Sequence, residues 1–369
     1  MNKWRELVLV GGGHTHALVL HELAKRPLYQ THITLISDVE YAPYSGMLPG
    51  HVAGFYTHEE MHIDLPKLCK KAGADFLHAS VNSIDLDARC PLVNGQKLGP
   101  KADLISINVG STPDSHGVPG VAEWAIPSKP VPQLLAGWER LKTAAESAAQ
   151  PLRVVVVGGG AGGVELTLAM QFQTCGKADY TLVNNGPQIM SGHNDGARER
   201  LSAVLIQRGV TVMLENSVTE VKANGVHLQN GRWLPADYIF WVTSPAPPAW
   251  LRESSLALTD GGFIRVKPTL QTIHHPWVFA AGDVASIENQ RTPKSGVFAV
   301  RMAKPLTANL RAFLENDPLS PFKPQKNFLS LIGTADGKAV ASHRWLAMHS
   351  RLMWTWKDWI DRRFMRQFG

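Results

Sequence analysis

Cysteine is nearly missing from this chain: 369 residues contain three, Cys69, Cys90 and Cys175. Their spacings match neither a zinc ribbon nor a C-x-x-C redox pair, and three thiols cannot build a disulfide framework. A reducing compartment, the cytoplasm, is the expectation. No run of about 18 uncharged apolar residues occurs, so no transmembrane helix is expected. The run Leu7-Val8-Leu9-Val10 is too short for a secretory signal before glycines interrupt it. Charge of one sign is also thin: 37 Lys and Arg against 31 Asp and Glu leave +6. Outside the last 25 residues no basic block carries interleaved aromatics, which leaves no footprint for nucleic acid. What is abundant is apolar surface. With 44% hydrophobic and 18% charged residues, the chain is excluded from the disordered class and has length for two or three domains.

Two segments about 147 residues apart share one plan of strand, glycine turn, helix and strand. The first runs from a strand at Glu6 to Val10 through Gly11-Gly12-Gly13-His14-Thr15-His16 and a helix reaching Leu23 to a strand at His32 to Ser37. The second runs from Arg153 to Val157 through Gly158-Gly159-Gly160-Ala161-Gly162-Gly163 and a helix past Met170 to Tyr180 to Asn184. Each opening strand is a near-continuous Val/Leu run, as a parallel strand buried on both faces requires. Both segments read as βαβ units, and the fold class is α/β with two Rossmann-like dinucleotide-binding domains.

A dinucleotide pyrophosphate needs a tight turn, a backbone free of Cβ crowding and the unpaired N–H groups of a helix start. Gly158, Gly160 and Gly163 fill all three glycine positions of that pattern. The first turn keeps Gly11 and Gly13 but has His16 at the third, where close helix packing favours glycine or alanine. One of His14 and His16 is expected beside the dinucleotide, His14 being the nearer to the turn, and the other in the core. Without acidic or thiol partners the two histidines make no metal site. An acidic residue after the second strand usually holds ribose hydroxyls; here the first unit offers Ser37 and Asp38. The second offers Asn184, which can bond a 2′-hydroxyl without repelling a 2′-phosphate, so NADH and NADPH are not separated.

The third signal is Val278-Phe279-Ala280-Ala281-Gly282-Asp283, a buried strand ending in Gly-Asp. Its carboxylate can receive a ribityl hydroxyl of FAD, with Gly282 allowing close passage. The strand exits at Gly110-Ser111-Thr112-Pro113 and Ser244-Pro245 read as crossings between domains. The expected division is an FAD-binding domain in two parts, 1–112 and 246–316, an inserted NAD(P)H-binding domain, 113–245, and a C-terminal region, 317–369. In that last region, Trp345, Met348, Leu352, Trp356, Trp359, Ile360 and Phe364 follow helical spacing, opposed by several arginines. This basic, Trp-rich helix is expected to pack over the flavin domain or a twin subunit; a peripheral contact with the inner face of a membrane is the alternative.

The order of these signals, with Glu165 on the second helix, resembles the pyridine nucleotide-disulfide oxidoreductase superfamily. The C-x4-C pair of its dithiol members is missing. The stretch Tyr41 to Gly50 resembles the flavin loop of type II NADH dehydrogenases and sulfide:quinone oxidoreductases. More narrowly, the first glycine turn, Tyr44 to Gly50, Gly296 to Arg301 and Trp356 to Met365 are similar to the flavoprotein domain fused ahead of selenide water dikinase; no kinase follows Gly369, so that domain is expected to stand alone. The resemblance implies non-covalent FAD and NAD(P)H, with Pro49, Val81, Gly110 and Gly296 added to the cofactor-binding residues. It implies hydride transfer from NAD(P)H to FAD and electron transfer to a small-molecule acceptor: a quinone, or a selenium or sulfur compound. Glu165 would then lie near the nicotinamide and flavin, and Lys294 would supply a cation near the flavin ring. Gly296 to Arg301 lacks the glutamines of the type II quinone site, and the cysteines of sulfide:quinone chemistry are not at the expected places. A flavoprotein that senses NAD(P)H without turnover is the non-enzymatic alternative.

Overall fold

The structure, a computed structural model, describes residues 4–174, 176–325 and 327–369; Cys175 lies outside the described residues. Strand Arg5–Val10 pairs in parallel with Thr31–Ser37 on one side and Leu104–Ile107 on the other. Asp75–His78 and Val278–Ala280 complete a five-stranded parallel sheet. A second five-stranded sheet is built the same way around Leu152–Val157, with Ala178–Val183, Thr211–Met213, Tyr238–Trp241 and Ile126–Pro127. The chain therefore leaves one sheet, builds another and returns. The outgoing Thr112–Pro113 pairs antiparallel with the returning Pro245–Ala246.

Each glycine turn leads straight into a helix, His14–Lys25 or Ala161–Thr174. The long helix Gly296–Glu315 tolerates Pro305 in its interior. It lies across His14–Lys25 in the core of the first sheet. The core of the second sheet also takes Met47, Leu48, Val52 and Met61 from the first half of the chain, and Ile332 and Val340 from the last part.

The C-terminal region departs most from expectation. Leu346–Ser350 is the last strand of a three-stranded antiparallel sheet with Ser330–Gly333 and Ala339–His343, and only Arg351–Met365 is helix. Its apolar stripe does not pack on this chain. Trp345 is 87% and Leu352 67% exposed, and Trp356, Trp359 and Ile360 also face outward, leaving Phe364 as the stripe residue that is buried. The inward face is Met353, Lys357, Asp361 and Phe364. Two ionic groups are tolerated inside because both find partners on the body of the protein. Among the described residues no helix is long and apolar enough to cross a membrane.

Candidate functional site

Two cavities, of about 410 and 740 Å³, open at the carboxyl ends of the two sheets. Both volumes suit a cofactor-sized ligand. Gly11, Gly13, His14, Ser37, Asp38, Val81, Gly110, Asp283 and Gly296 line the first. Gly158, Gly160, Gly163 and Asn184 line the second. Pro49 and Gly282 line neither. Pro49 opens the short helix Leu48–Val52, and the Gly282 N–H is directed to Met302.

The glycines fit phosphate groups. A Cβ on Gly13 would overlap the Asn108 side chain, and one on Gly163 would overlap the Gly158 carbonyl, so both are required by close approach. Gly160 has no protein atom near its Cβ direction. Its missing side chain leaves open space at a helix start, the cradle an anion needs.

His16 solves the packing problem at the third position of the first turn. It is fully buried, with Nδ1 2.7 Å from the Gly11 carbonyl and Nε2 2.8 Å from Ser106 Oγ. Burial lowers its pKa to about 4, so it is a neutral bridge. His14 is the histidine that lines the cavity, and burial lowers its pKa too. Asn108, which sequence reasoning missed, donates to the Ala281 carbonyl at 2.8 Å and accepts from the His16 N–H at 3.3 Å, fastening the glycine turn to the strand before Asp283. The readable signal was a polar residue closing the buried run Leu104 to Ile107.

Two expected roles meet a different geometry. Asn184 was expected to hold a ribose hydroxyl, but its Nδ2 donates to the Gly186 and Gln188 carbonyls and its Oδ1 accepts from the Gly159 N–H. Both donors are spent on bracing the turn, leaving a lone pair of Oδ1 for a ligand. Lys294 was expected as the cation at the first cavity. It instead lines the second, donates to the Ala285 carbonyl and lies 4.4 Å from the centre of the Phe263 ring. Burial lowers its pKa to about 8. The ammonium at Asp283 belongs to Lys129, 2.9 Å from Oδ2, with the Ser111 hydroxyl donating to the same oxygen at 3.0 Å. Burial works to raise the Asp283 carboxyl, and Lys129 and Ser111 outweigh it, so its pKa is lowered.

Glu165 lines neither cavity. Its Oε1 accepts the Gly333 N–H at 2.7 Å, and burial raises its pKa to about 7 against the opposing charge of Lys357. Lys357 Nζ donates to Asp361 at 2.8 Å and to the Gly46 carbonyl at 2.7 Å; Tyr44 donates to Asp361 at 3.2 Å. Burial opposes the Lys357 ammonium, but Asp361 and Glu165 hold its pKa above the ordinary value. Tyr44 in turn packs edge-on against His14. A buried ionic cluster thus joins the second helix, the Tyr44 loop and the C-terminal helix beside the first cavity. Among the described residues no group of histidine, cysteine and carboxylate side chains could hold a metal, and Cys69 and Cys90 are buried away from both cavities.

Among known proteins, the chain is 26% identical over 286 residues to the demethylphylloquinone reductase NdbB of Synechocystis sp., covering 74% of this chain and 70% of that one. It is 23% identical over 363 residues to the NADH dehydrogenase-like protein YutJ of Bacillus subtilis, covering 96% and 99%. The fold matches that of NDH2 from Plasmodium falciparum in complex with NADH, with a TM-score of 0.83 at 15% identity over 99% of this chain and 98% of that one. Residues 5–303 match the family model described as pyridine nucleotide-disulphide oxidoreductase. Glycine-cradled cavities on two parallel sheets, a carboxylate at the strand end between them and this match make the chain a member of the pyridine nucleotide-disulphide oxidoreductase family, an oxidoreductase that uses FAD and NAD(P)H.

Proposed function

We propose that this protein takes electrons from NAD(P)H in the second cavity, through FAD in the first, to a quinone. The observation that carries this reading is that the two cavities share a wall at Ser111, Thr112 and Lys129. FAD, when bound, supplies the two-electron carrier that protein side chains lack. The chain's own residues bind and orient. The starts of helices His14–Lys25 and Ala161–Thr174 suit two pyrophosphates. Asp283, kept ionised by Lys129 and Ser111, suits a ribityl hydroxyl. Glu165, outside both cavities and with its pKa raised to about 7, can hold or release a proton at neutral pH within the cluster that it shares with Lys357 and Asp361.

A quinone is favoured over a sulfur or selenium acceptor for two reasons. Several relatives are named for quinones, and among the described residues no cysteine lines a cavity for thiol chemistry. Because Gly296 to Arg301 lacks glutamines, quinone recognition here uses other groups. The outward Leu352, Trp356, Trp359 and Ile360, flanked by exposed Arg351, Arg363 and Arg366, form an interfacial helix by which the protein would rest on an anionic membrane. A twin subunit is the competing cover for that face, and sedimentation with anionic vesicles separates the two.

Anaerobic addition of NADH or NADPH to the purified protein should bleach its flavin, and ubiquinone or menadione should restore the colour over many cycles. Turnover with polysulfide or selenite but with neither quinone would move the acceptor to that class. A single stoichiometric bleaching with every acceptor would make the protein a sensor. No bleaching by either nucleotide would overturn the proposal.

A further inference from the structure

Lys129 stands where the two cavities meet. It follows Ile126–Pro127, an edge strand of the second sheet, yet its ammonium closes a triangle with two groups of the first unit. Nζ lies 2.9 Å from Asp283 Oδ2 and 3.2 Å from Ser111 Oγ, while the Ser111 hydroxyl donates to the same Asp283 oxygen at 3.0 Å. Among the described residues no hydrogen bond reaches Asp283 Oδ1. The charge of Lys129 is also felt at His14, across the first cavity. Lys129 and Ser111 line both cavities, Asp283 only the first, and Ser128 only the second. With its side chain 39% exposed, Lys129 is no packing residue. What holds it is the Asp283 carboxylate.

We propose that Lys129 is a positioning residue that couples occupancy of the two cavities, so that a flavin dinucleotide in the first and a nicotinamide dinucleotide in the second bind more tightly together than apart. The inference rests on the cofactor reading above. A ligand on Asp283 fixes the carboxylate, and the carboxylate fixes Lys129. The backbone from Ser128 to Lys129, which walls the second cavity, is then ordered before the second ligand arrives, so that ligand has less ordering left to complete. Coupling of this kind is reciprocal: the nicotinamide dinucleotide must hold the flavin by the factor by which the flavin holds it. The Lys129 contact on Oδ2 carries this effect, because it is a charged link from Asp283 to the second unit.

The test follows release of FAD from the holoenzyme after dilution, by the return of free-flavin fluorescence, with and without saturating NAD⁺, which binds without reducing the flavin. In the wild type NAD⁺ should slow release at least about fivefold, the lower end of ordinary coupling energies. In Lys129→Met the slowing should disappear while the protein stays folded and still carries flavin. Lys129→Arg, which keeps a cation within reach of Asp283, should retain most of it. A merely structural lysine would change the release rate in both conditions alike. Equal slowing in Lys129→Met and wild type, or none in the wild type, would overturn the proposal. Purification of the wild type without flavin would sink the cofactor reading itself, and that result shows before any variant is made.

Discussion

The two glycine turns begin from nearly the same sequence and reach the same shape by different means. In the second, Gly163 lets the helix approach until its backbone meets the Gly158 carbonyl, with no room for a Cβ. In the first, His16 takes the same register position and, instead of demanding approach, bridges outward to the Gly11 carbonyl and Ser106. Ser37 and Asn184 form another matched pair. Ser37 Oγ accepts a single N–H from Val39, whereas Asn184 ties three backbone groups together. A third pair is Leu18, buried in the first core, and Glu165, directed to Gly333 and the ionic cluster. The repeat specifies a scaffold, and the non-glycine positions around it decide what each copy does. A polar bridge can substitute for a missing glycine if both of its hydrogen-bonding atoms are satisfied, since an orphaned one would cost about 1–3 kcal/mol.

The most damaging way to break this comparison is Gly163→Val, which forces a side chain into the Gly158 carbonyl. Flavin content should persist while nucleotide binding falls by at least about a thousandfold, about 4 kcal/mol, read by titration of flavin bleaching. The mirror change, His16→Ala, should cost about 3 kcal/mol of stability through a cavity and two lost hydrogen bonds, measured by urea unfolding. It should also remove a pH dependence. Because burial holds His16 at about 4 against 6.5 when unfolded, unfolding takes up a proton between those values. Wild-type stability should therefore fall as pH drops from about 6.5 to about 4, by up to about 3 kcal/mol, and the variant should lack that slope. An unchanged slope would mean that His16 is not the neutral bridge.

Glu165→Gln sharpens the third pair. Flavin content should be normal, and stopped-flow bleaching at saturating NADH should slow by about 10²-fold if charge orients the nicotinamide. In the wild type that rate should rise as Glu165 ionises near pH 7, and the variant should lose the rise. Bleaching at the wild-type rate would return Glu165 to a structural role. The smallest effect belongs to Asn184→Ala, which unties the second turn. Nucleotide affinity should fall by about fivefold, about 1 kcal/mol, equally for NADH and NADPH. A loss confined to one nucleotide would restore Asn184 as a direct ribose contact.

The α/β class, both βαβ units and the Gly-Asp strand end could be read in the sequence because each is local. Strand, glycine turn and helix lie within about 25 residues, and the hydrophobic period and the glycines carry the signal directly. Most residues named for the flavin fall together on one cavity for the same reason: they stand at strand ends, and parallel sheets bring strand ends to one side. The C-terminal stripe misled because helical periodicity shows that a helix has two faces, not which is covered. Lys357 and Asp361 turn inward since Gly46, Tyr44 and Glu165, more than 190 residues away for the last, are there to meet them.

The same reason accounts for the exchange of Lys294 for Lys129. Sequence placed a lysine beside a helix start, and local pattern could go no further. Which ammonium reaches Asp283 depends on how an edge strand of the second sheet lies against the first, a distance of 2.9 Å that closes 154 residues of sequence. Sequence by itself determined the two nucleotide scaffolds, because their determinants are glycines and apolar runs within single βαβ units. Only the tertiary structure decided which charges stand between them, because a buried ion is tolerated only where distant chain segments supply its partner.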